Sequence, residues 1–177
     1  LVYFLFIRMS APECKSAYLV DTSSDPVVVR VVGRASFQNS NCVRDFIFEM
    51  IGRDRRRFVF DFQQCLSMDS TFLGVLAGIA LELRKRPPAG SLVVARVGPR
   101  NFELIRSLGL HRLLTIDVGE LPLGSPLADK PLELKKRSEV ESARLVLQAH
   151  ENLVTADGEN EAKFQDVITF LRNRVAE

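Results

Sequence analysis

Two adjacent hydroxyls, Ser70 and Thr71, follow Asp69 at the end of a loop and open the segment Thr71 to Arg86, whose apolar residues recur at helical spacing. Asp69 or Ser70 can cap the unpaired N–H groups of such a helix end. The same end favours an anion, through its dipole and its free N–H groups, so a phosphate on either hydroxyl is well placed there. The carboxylate of Asp69 would repel it. Phosphorylation here is therefore a strong local electrostatic change, suited to switching a binding surface. Left unmodified, the same residues simply cap a helix.

Other reactive residue types are sparse. Cys14, Cys42 and Cys65 are odd in number, widely spaced and without a C-x-x-C pair, so a disulfide framework or zinc site is not expected and a reducing cytoplasm is the default setting. His111 and His150 lie far apart, and the sequence puts neither beside a nucleophile or metal ligands. His150 falls on the apolar stripe of a helix and reads as a packed or interfacial histidine. Asp61 ends a buried strand, where α/β ligands often bind, and with Asp69 it can flank a small pocket. Two carboxylates without a histidine, lysine or metal set give no basis for catalysis. Arg53, Arg55, Arg56 and Arg57 read as a solvated turn, and Arg84, Lys85 and Arg86 as cations at a helix C-terminus. Val97-Gly98-Pro99 has a single glycine and is no phosphate loop. No enzyme activity, cofactor or metal is expected.

The chain has 177 residues, of which 46% are hydrophobic and 26% charged, with a net charge of +2. That suits one domain with an appendage, and it provides no bulk electrostatic drive toward nucleic acid or an anionic membrane. Trp is absent and there are 2 Tyr, which weakens any base-stacking reading. The opening run Leu1 to Arg8 is far shorter than the roughly 20 residues a bilayer requires. Met9 is the expected natural start; the other reading of residues 1–8 is a strand or partner-docking segment.

The hydroxyl pair must be positioned by the elements around it. Tyr18-Leu19-Val20 and Val27 to Val32 read as two strands joined by a turn. Ser40 or Asn41 is a candidate N-cap for a helix carrying Val43, Phe46, Ile47, Met50 and Ile51 and closed by Gly52. Phe58 to Phe62 and Ser91 to Ala95 read as buried strands, Gln63 to Asp69 as a loop, and Leu113 to Ile116 as a last strand. Phe72, Val75, Leu76, Ile79 and Leu83 form the buried stripe of the hydroxyl-bearing helix, and Gly74 and Gly78 permit close approach of a neighbour. Pro99 starts a short helix with Phe102, Ile105 and Leu108, and Gly109 caps it. This order implies an α/β fold with a mixed, mostly parallel sheet and flanking helices. Pro and Gly between Gly119 and Pro126 mark a linker. Two amphipathic helices follow, with stripes Val140, Ala143, Leu147, His150, Val154 and Phe164, Val167, Ile168, Leu171, Val175. They form a C-terminal helical hairpin that either folds back on the α/β core or pairs with another subunit or a partner helix. The expected divisions are 1–16 (N-terminal segment), 17–118 (core domain), 119–137 (linker) and 138–177 (hairpin).

Phe58 to Phe62, then Met68-Asp69-Ser70-Thr71-Phe72-Leu73-Gly74-Val75-Leu76, Leu92 to Val97, and finally Ile105-Arg106-Ser107-Leu108-Gly109-Leu110 together resemble the STAS domain family over about Ala17 to Val118. That family includes bacterial anti-sigma factor antagonists and the cytoplasmic tails of sulfate transporters. In the antagonists the motif reads Asp-Ser-Ser-Gly or Asp-Ser-Thr-Gly, and the acceptor stands two places after the Asp. The resemblance assigns that position to Thr71, with Ser70 beside it. Phe72 replaces the family's Gly, and Gly74 comes two residues later.

The resemblance implies partner switching. The unmodified domain docks on a serine/threonine kinase that doubles as an anti-sigma factor, phosphorylation blocks docking, and a PP2C-type phosphatase restores it. Asp61, Asp69, Phe72 and Gly74 are then candidates for partner contact. A cytoplasmic location and a possible homodimer through the C-terminal helices are expected, with no nucleic-acid or membrane partner. The rival reading is a module that senses a nucleotide or lipid in a pocket at the strand ends.

Overall fold

β-Branched and aromatic residues build the sheet, and glycines decide how closely its helices pack. The computed structural model describes residues 17–117, 119 and 129–176. In chain order the elements are β1 (Ala17–Asp21), β2 (Val27–Ala35), α1 (Ser40–Gly52), β3 (Arg57–Asp61), β4 (Cys65–Met68), α2 (Ser70–Lys85), β5 (Ser91–Ala95), α3 (Pro99–Ser107), β6 (Thr115–Asp117), β7 (Lys130–Pro131), α4 (Glu139–Ala156) and α5 (Asn160–Ala176).

The fold is mixed α/β, with strand order β6-β5-β3-β2-β1-β7. Strands β2, β3, β5 and β6 run parallel, and β1 pairs antiparallel with both β2 and β7. The long β2 serves two partners on one edge. Its first half, Val27 to Arg30, pairs with β3, and after an irregularity at Gly33 its end pairs with β4. Gly33 has φ +83°, a left-handed conformation that glycine adopts without strain.

Alternation along the strands sends Val27, Val29, Val31, Phe58, Phe60, Leu92 and Val94 into one core. There α1 contributes Val43, Ile47 and Met50, and α2 contributes Phe72, Leu76, Ile79 and Leu83. Because α2 has buried residues on nearly every side, a second layer must cover it. That layer is α4, with α5 packed behind it. The hairpin thus folds back on its own core. A Cβ on Gly74 would stand 2.1 Å from the carbonyl oxygen of Ala149, and one on Gly78 would stand 2.3 Å from Asn152 Nδ2. The two helices touch backbone to backbone.

Several expectations are corrected. The segment read as a loop from Gln63 holds β4; its four residues include no β-branched side chain, and pairing with the end of β2 makes it a strand. The last strand begins at Thr115, because Gly109 (φ +71°) leads into a single 3-10 turn, Leu110–Arg112, and Leu114 turns into the core. The cap of α1 is Asn39, just before the two expected candidates Ser40 and Asn41. In α4 the buried residues are Ala143, Leu145, Ala149, His150 and Leu153, and Val140 is exposed. The buried face is rotated because the contact with Gly74 selects the small Ala149. The described part of the presumed linker is tied to the core: β7 pairs with β1, Asn41 Nδ2 donates to the Lys135 carbonyl at 3.2 Å, and Arg137 pairs with Asp45. Residues 1–16, with Met9 and Cys14, and residues 120–128 lie outside the described residues.

Replacing Gly74 by Val should lift α4 from α2. Overpacking of this kind costs about 1–3 kcal/mol, more than the change of up to about 1 kcal/mol in helix propensity returns. Urea unfolding should show the loss, and hydrogen exchange should show amides of 139–156 losing protection before those of β3. Unchanged stability and exchange would mean that the helices do not touch at this point.

Candidate functional site

The hydroxyl pair stands where β4 ends and α2 begins. The Asp69 N–H donates to the Ala35 carbonyl at 3.1 Å, which fixes the junction to the end of β2. The Asp69 carboxylate then accepts two backbone N–H groups, from Phe72 at 2.9 Å and from Phe37 at 2.8 Å. One bond caps α2, as expected for this residue. The other holds the β2–α1 loop beside the helix start. Asp69 thus shapes the loop.

Ser70 is half-buried, and its Oγ lies 3.0 Å from Nε2 of His150 in α4. The other ring nitrogen of His150, Nδ1, lies 2.7 Å from the Val146 carbonyl. A carbonyl can only accept, so Nδ1 carries the hydrogen; Nε2 of the neutral ring then accepts from the Ser70 hydroxyl. His150 is 4% exposed and meets the edge of the Phe164 ring at 4.9 Å, so it joins α2, α4 and α5. Thr71 is also 4% exposed. With α4 seated, Ser70 is the more accessible of the two hydroxyls.

The remaining expected site residues have other occupations. Phe72 is fully buried, stacked on Tyr18 at 6.0 Å and edge-on to Phe60 and Phe62. It belongs to the core and presents no surface to a partner. The Tyr18 hydroxyl donates to Asn39 Oδ1 at 2.8 Å, and burial pushes this phenol far up, so it stays a donor. Gly74 is covered by α4. Asp61 is 3% exposed and lies in an ionic network. Arg96 forks onto both of its oxygens, Arg30 Nε stands 3.8 Å away, and Arg30 reaches on to Asp129 at 2.6 Å. This carboxylate is consumed in holding the middle of β2 and the ends of β3 and β5 together, so it is not open to a partner or ligand. Desolvation raises the Asp129 carboxyl above the usual range, against the pull of Arg30.

Burial pushes the thiols of Cys42 and Cys65 up to about 11, so neither is a thiolate at neutral pH. The arginine cluster serves the turns: Arg55 donates to the Thr22 and Ser24 carbonyls, Arg56 to those of Pro87 and Pro88, and Arg53 pairs with Glu49. Among the described residues no His/Cys/Asp/Glu cluster could hold a metal ion, and no helix is long and apolar enough to cross a membrane.

Sequence reasoning missed His150 as part of this site. The available signal was the pair Gly74 and Gly78 one turn apart, which required a close neighbour on that face.

A family model described as "Mlab, STAS domain" matches residues 18–115, and the chain belongs to the STAS domain family. Helices α4 and α5 lie beyond the matched segment. Similar solved structures include the anti-sigma factor antagonist SpoIIAA in its unphosphorylated form and the Bacillus cell fate determinant SpoIIAA in the phosphorylated form. Each is 21% identical with a TM-score of 0.49 and covers 59% of this chain, with 91% and 94% of the respective neighbours covered. No curated protein matches the chain.

The contact between Ser70 and His150 is open to a double-mutant cycle. Ser70→Ala, His150→Ala and the double variant should give a coupling of about 0.5–1.5 kcal/mol in denaturant unfolding, the size of one net hydrogen bond. Strictly additive losses would show that the bond contributes nothing to holding α4 in place.

Proposed function

We propose that this STAS domain is a regulatory protein-binding module, a phospho-controlled anti-sigma factor antagonist in a bacterial partner-switching system, and that its C-terminal hairpin gates the switch. The observation that carries the proposal is the hydroxyl pair at the start of α2, at the family's acceptor position, with Ser70 held by His150 of a helix outside the family segment. The domain does no chemistry of its own and takes no cofactor; a serine/threonine kinase that doubles as anti-sigma factor supplies the phosphate, and a PP2C-type phosphatase removes it, in the cytoplasm.

The gating follows from the packing. At 3.0 Å between Ser70 Oγ and His150 Nε2 there is no room for a phosphorus atom and its oxygens. Thr71, the position the resemblance assigns, is closed off still more completely. A phosphate on Ser70 displaces its bond to His150 and so works against the seating of α4; one on Thr71 requires that buried hydroxyl to be uncovered first. Once in place, a phosphate gains the α2 N-terminus but meets the Asp69 carboxylate. Phe37 and Leu66, 52% and 66% exposed, offer apolar contact area for the docking partner; Phe37 is bonded to Asp69 and Leu66 lies on β4. In this division residues 17–118 carry the switch and residues 138–177 control access to it.

Incubation with the cognate kinase and ATP, followed by mass spectrometry, should place phosphate on Ser70 or Thr71 and abolish kinase binding. The Ser70→Ala, Thr71→Ala double variant should remain unmodified and stay bound. Absence of phosphate from both residues, together with no binding to the kinase, would overturn the proposal.

A further inference from the structure

A second surface is created only where the hairpin meets the core. Three adjoining hollows, of about 490, 310 and 290 Å³, run along the notch between α1 and α4 above α2. They are continuous, because Leu145 lines all three and Arg44 and Gln148 line two. The largest hollow has an apolar floor of Val75, Gly78, Leu145 and Ala149, and Leu145 carries apolar lining on into the two smaller, more charged hollows. The aromatic Phe48 lines one end and Phe37 with Leu134 the other, all of them exposed.

The charge on this trench is one-sided. Its lining carries six cations (Arg44, Lys85, Lys135, Lys136, Arg137 and Arg144) and two carboxylates, Glu82 and Glu141, in a chain whose net charge is only +2. Some of the cations are partly engaged: Arg137 and Arg44 share Asp45, and Lys85 pairs with Glu82. Lys135 and Lys136 are exposed. An apolar floor between cationic walls is complementary to a helix with an apolar stripe and acidic flanks. The notch between two helices that pack on a third accepts one more helix by the same ridge-and-groove geometry.

We infer that the trench between α1 and α4 docks an acidic amphipathic helix of a protein partner. A bilayer is disfavoured because the floor residues Val75, Leu145 and Ala149 lie in a concavity that a flat surface does not reach, and the exposed Phe37, Phe48 and Leu134 stand apart at its two ends. Duplex nucleic acid is too broad for the notch, and Glu82 and Glu141 would repel its phosphates. An occupant would bridge α1, α2 and α4 and so hold the hairpin down. The trench excludes the hydroxyl pair and shares only Phe37 with the docking area proposed above; its test uses neither kinase nor phosphate, so either reading can fail without the other.

The test is a titration of the full chain with a fluorescent amphipathic peptide of about five helical turns, Leu along one stripe and Glu on both flanks. Controls are the same peptide with Lys for Glu, phosphatidylglycerol vesicles and a DNA duplex. The acidic peptide should bind, the basic one should not, and the Arg44→Glu, Arg144→Glu double variant should weaken binding at least tenfold with an unchanged melting temperature. NMR shifts in the unaltered protein should map to the trench, which keeps the test valid if the variant folds poorly. Absence of acidic-peptide binding, shifts elsewhere, insensitivity to charge reversal at matched stability, preference for vesicles or DNA, or self-association that displaces the peptide would each overturn the inference.

Discussion

Helix α4 approaches α2 more closely than any side chain at position 74 would allow. Gly74 leaves no space for a side chain between its own backbone and the carbonyl of Ala149. One turn further, Asn152 fills the place of a Cβ at Gly78 and donates to the Gly74 carbonyl at 3.2 Å. With the backbones this close, His150 comes within reach of Ser70. A larger residue at position 74 would open that distance and free the Ser70 hydroxyl. The same seating creates the cationic trench, since α4 supplies one of its walls. Core packing, access to the hydroxyls and the second surface are therefore set by one helix pair.

The sheet contributes a rigid base. Arg96 has φ +53°, a left-handed conformation unusual for a side-chain-bearing residue, and from there its guanidinium reaches both oxygens of Asp61. Arg30 ties the same carboxylate to Asp129, just before β7. Breaking a buried pair of this kind by removing one partner is far more damaging than the pair itself is stabilising. Asp61 is held for that reason, and an acidic residue at a strand end here signals a structural junction. Phe72 follows a similar logic: it stands where antagonists have glycine, and its ring fills a cluster with Tyr18, Phe60 and Phe62.

Much of the layered fold could be read from residue patterns. The β-branched run of β2, the doubly apolar β3 and the stripe of α2 announced a mostly parallel sheet with helices on it, and Gly74 and Gly78 announced a close neighbour. The short strands were not legible: Cys65–Met68 and Lys130–Pro131 have no strand composition and exist only through their partners in β2 and β1. The buried face of α4 was misjudged because a strict helical stripe ignores the preference of a glycine contact for alanine. In the site, Asp69 was legible as a cap, since capping is local. The bond from Ser70 to His150 spans 80 residues of sequence and depends on tertiary packing, which no local pattern encodes. The burial of Thr71 was legible in part, since it stands four residues before Val75 on the row continued by Ile79 and Leu83.

On the proposed reading, a phosphate at the start of α2 and a seated hairpin exclude each other. Its most direct test is to install phosphoserine at residue 70 by genetic encoding and compare hydrogen exchange with the unmodified chain. Exchange should be faster, by tenfold or more, in amides of 139–156 while β3 and β5 keep their protection, and the pattern should revert on dephosphorylation. Equal protection of α4 in the two forms would contradict that reading, because the phosphate would then be accommodated beside His150 without moving the helix.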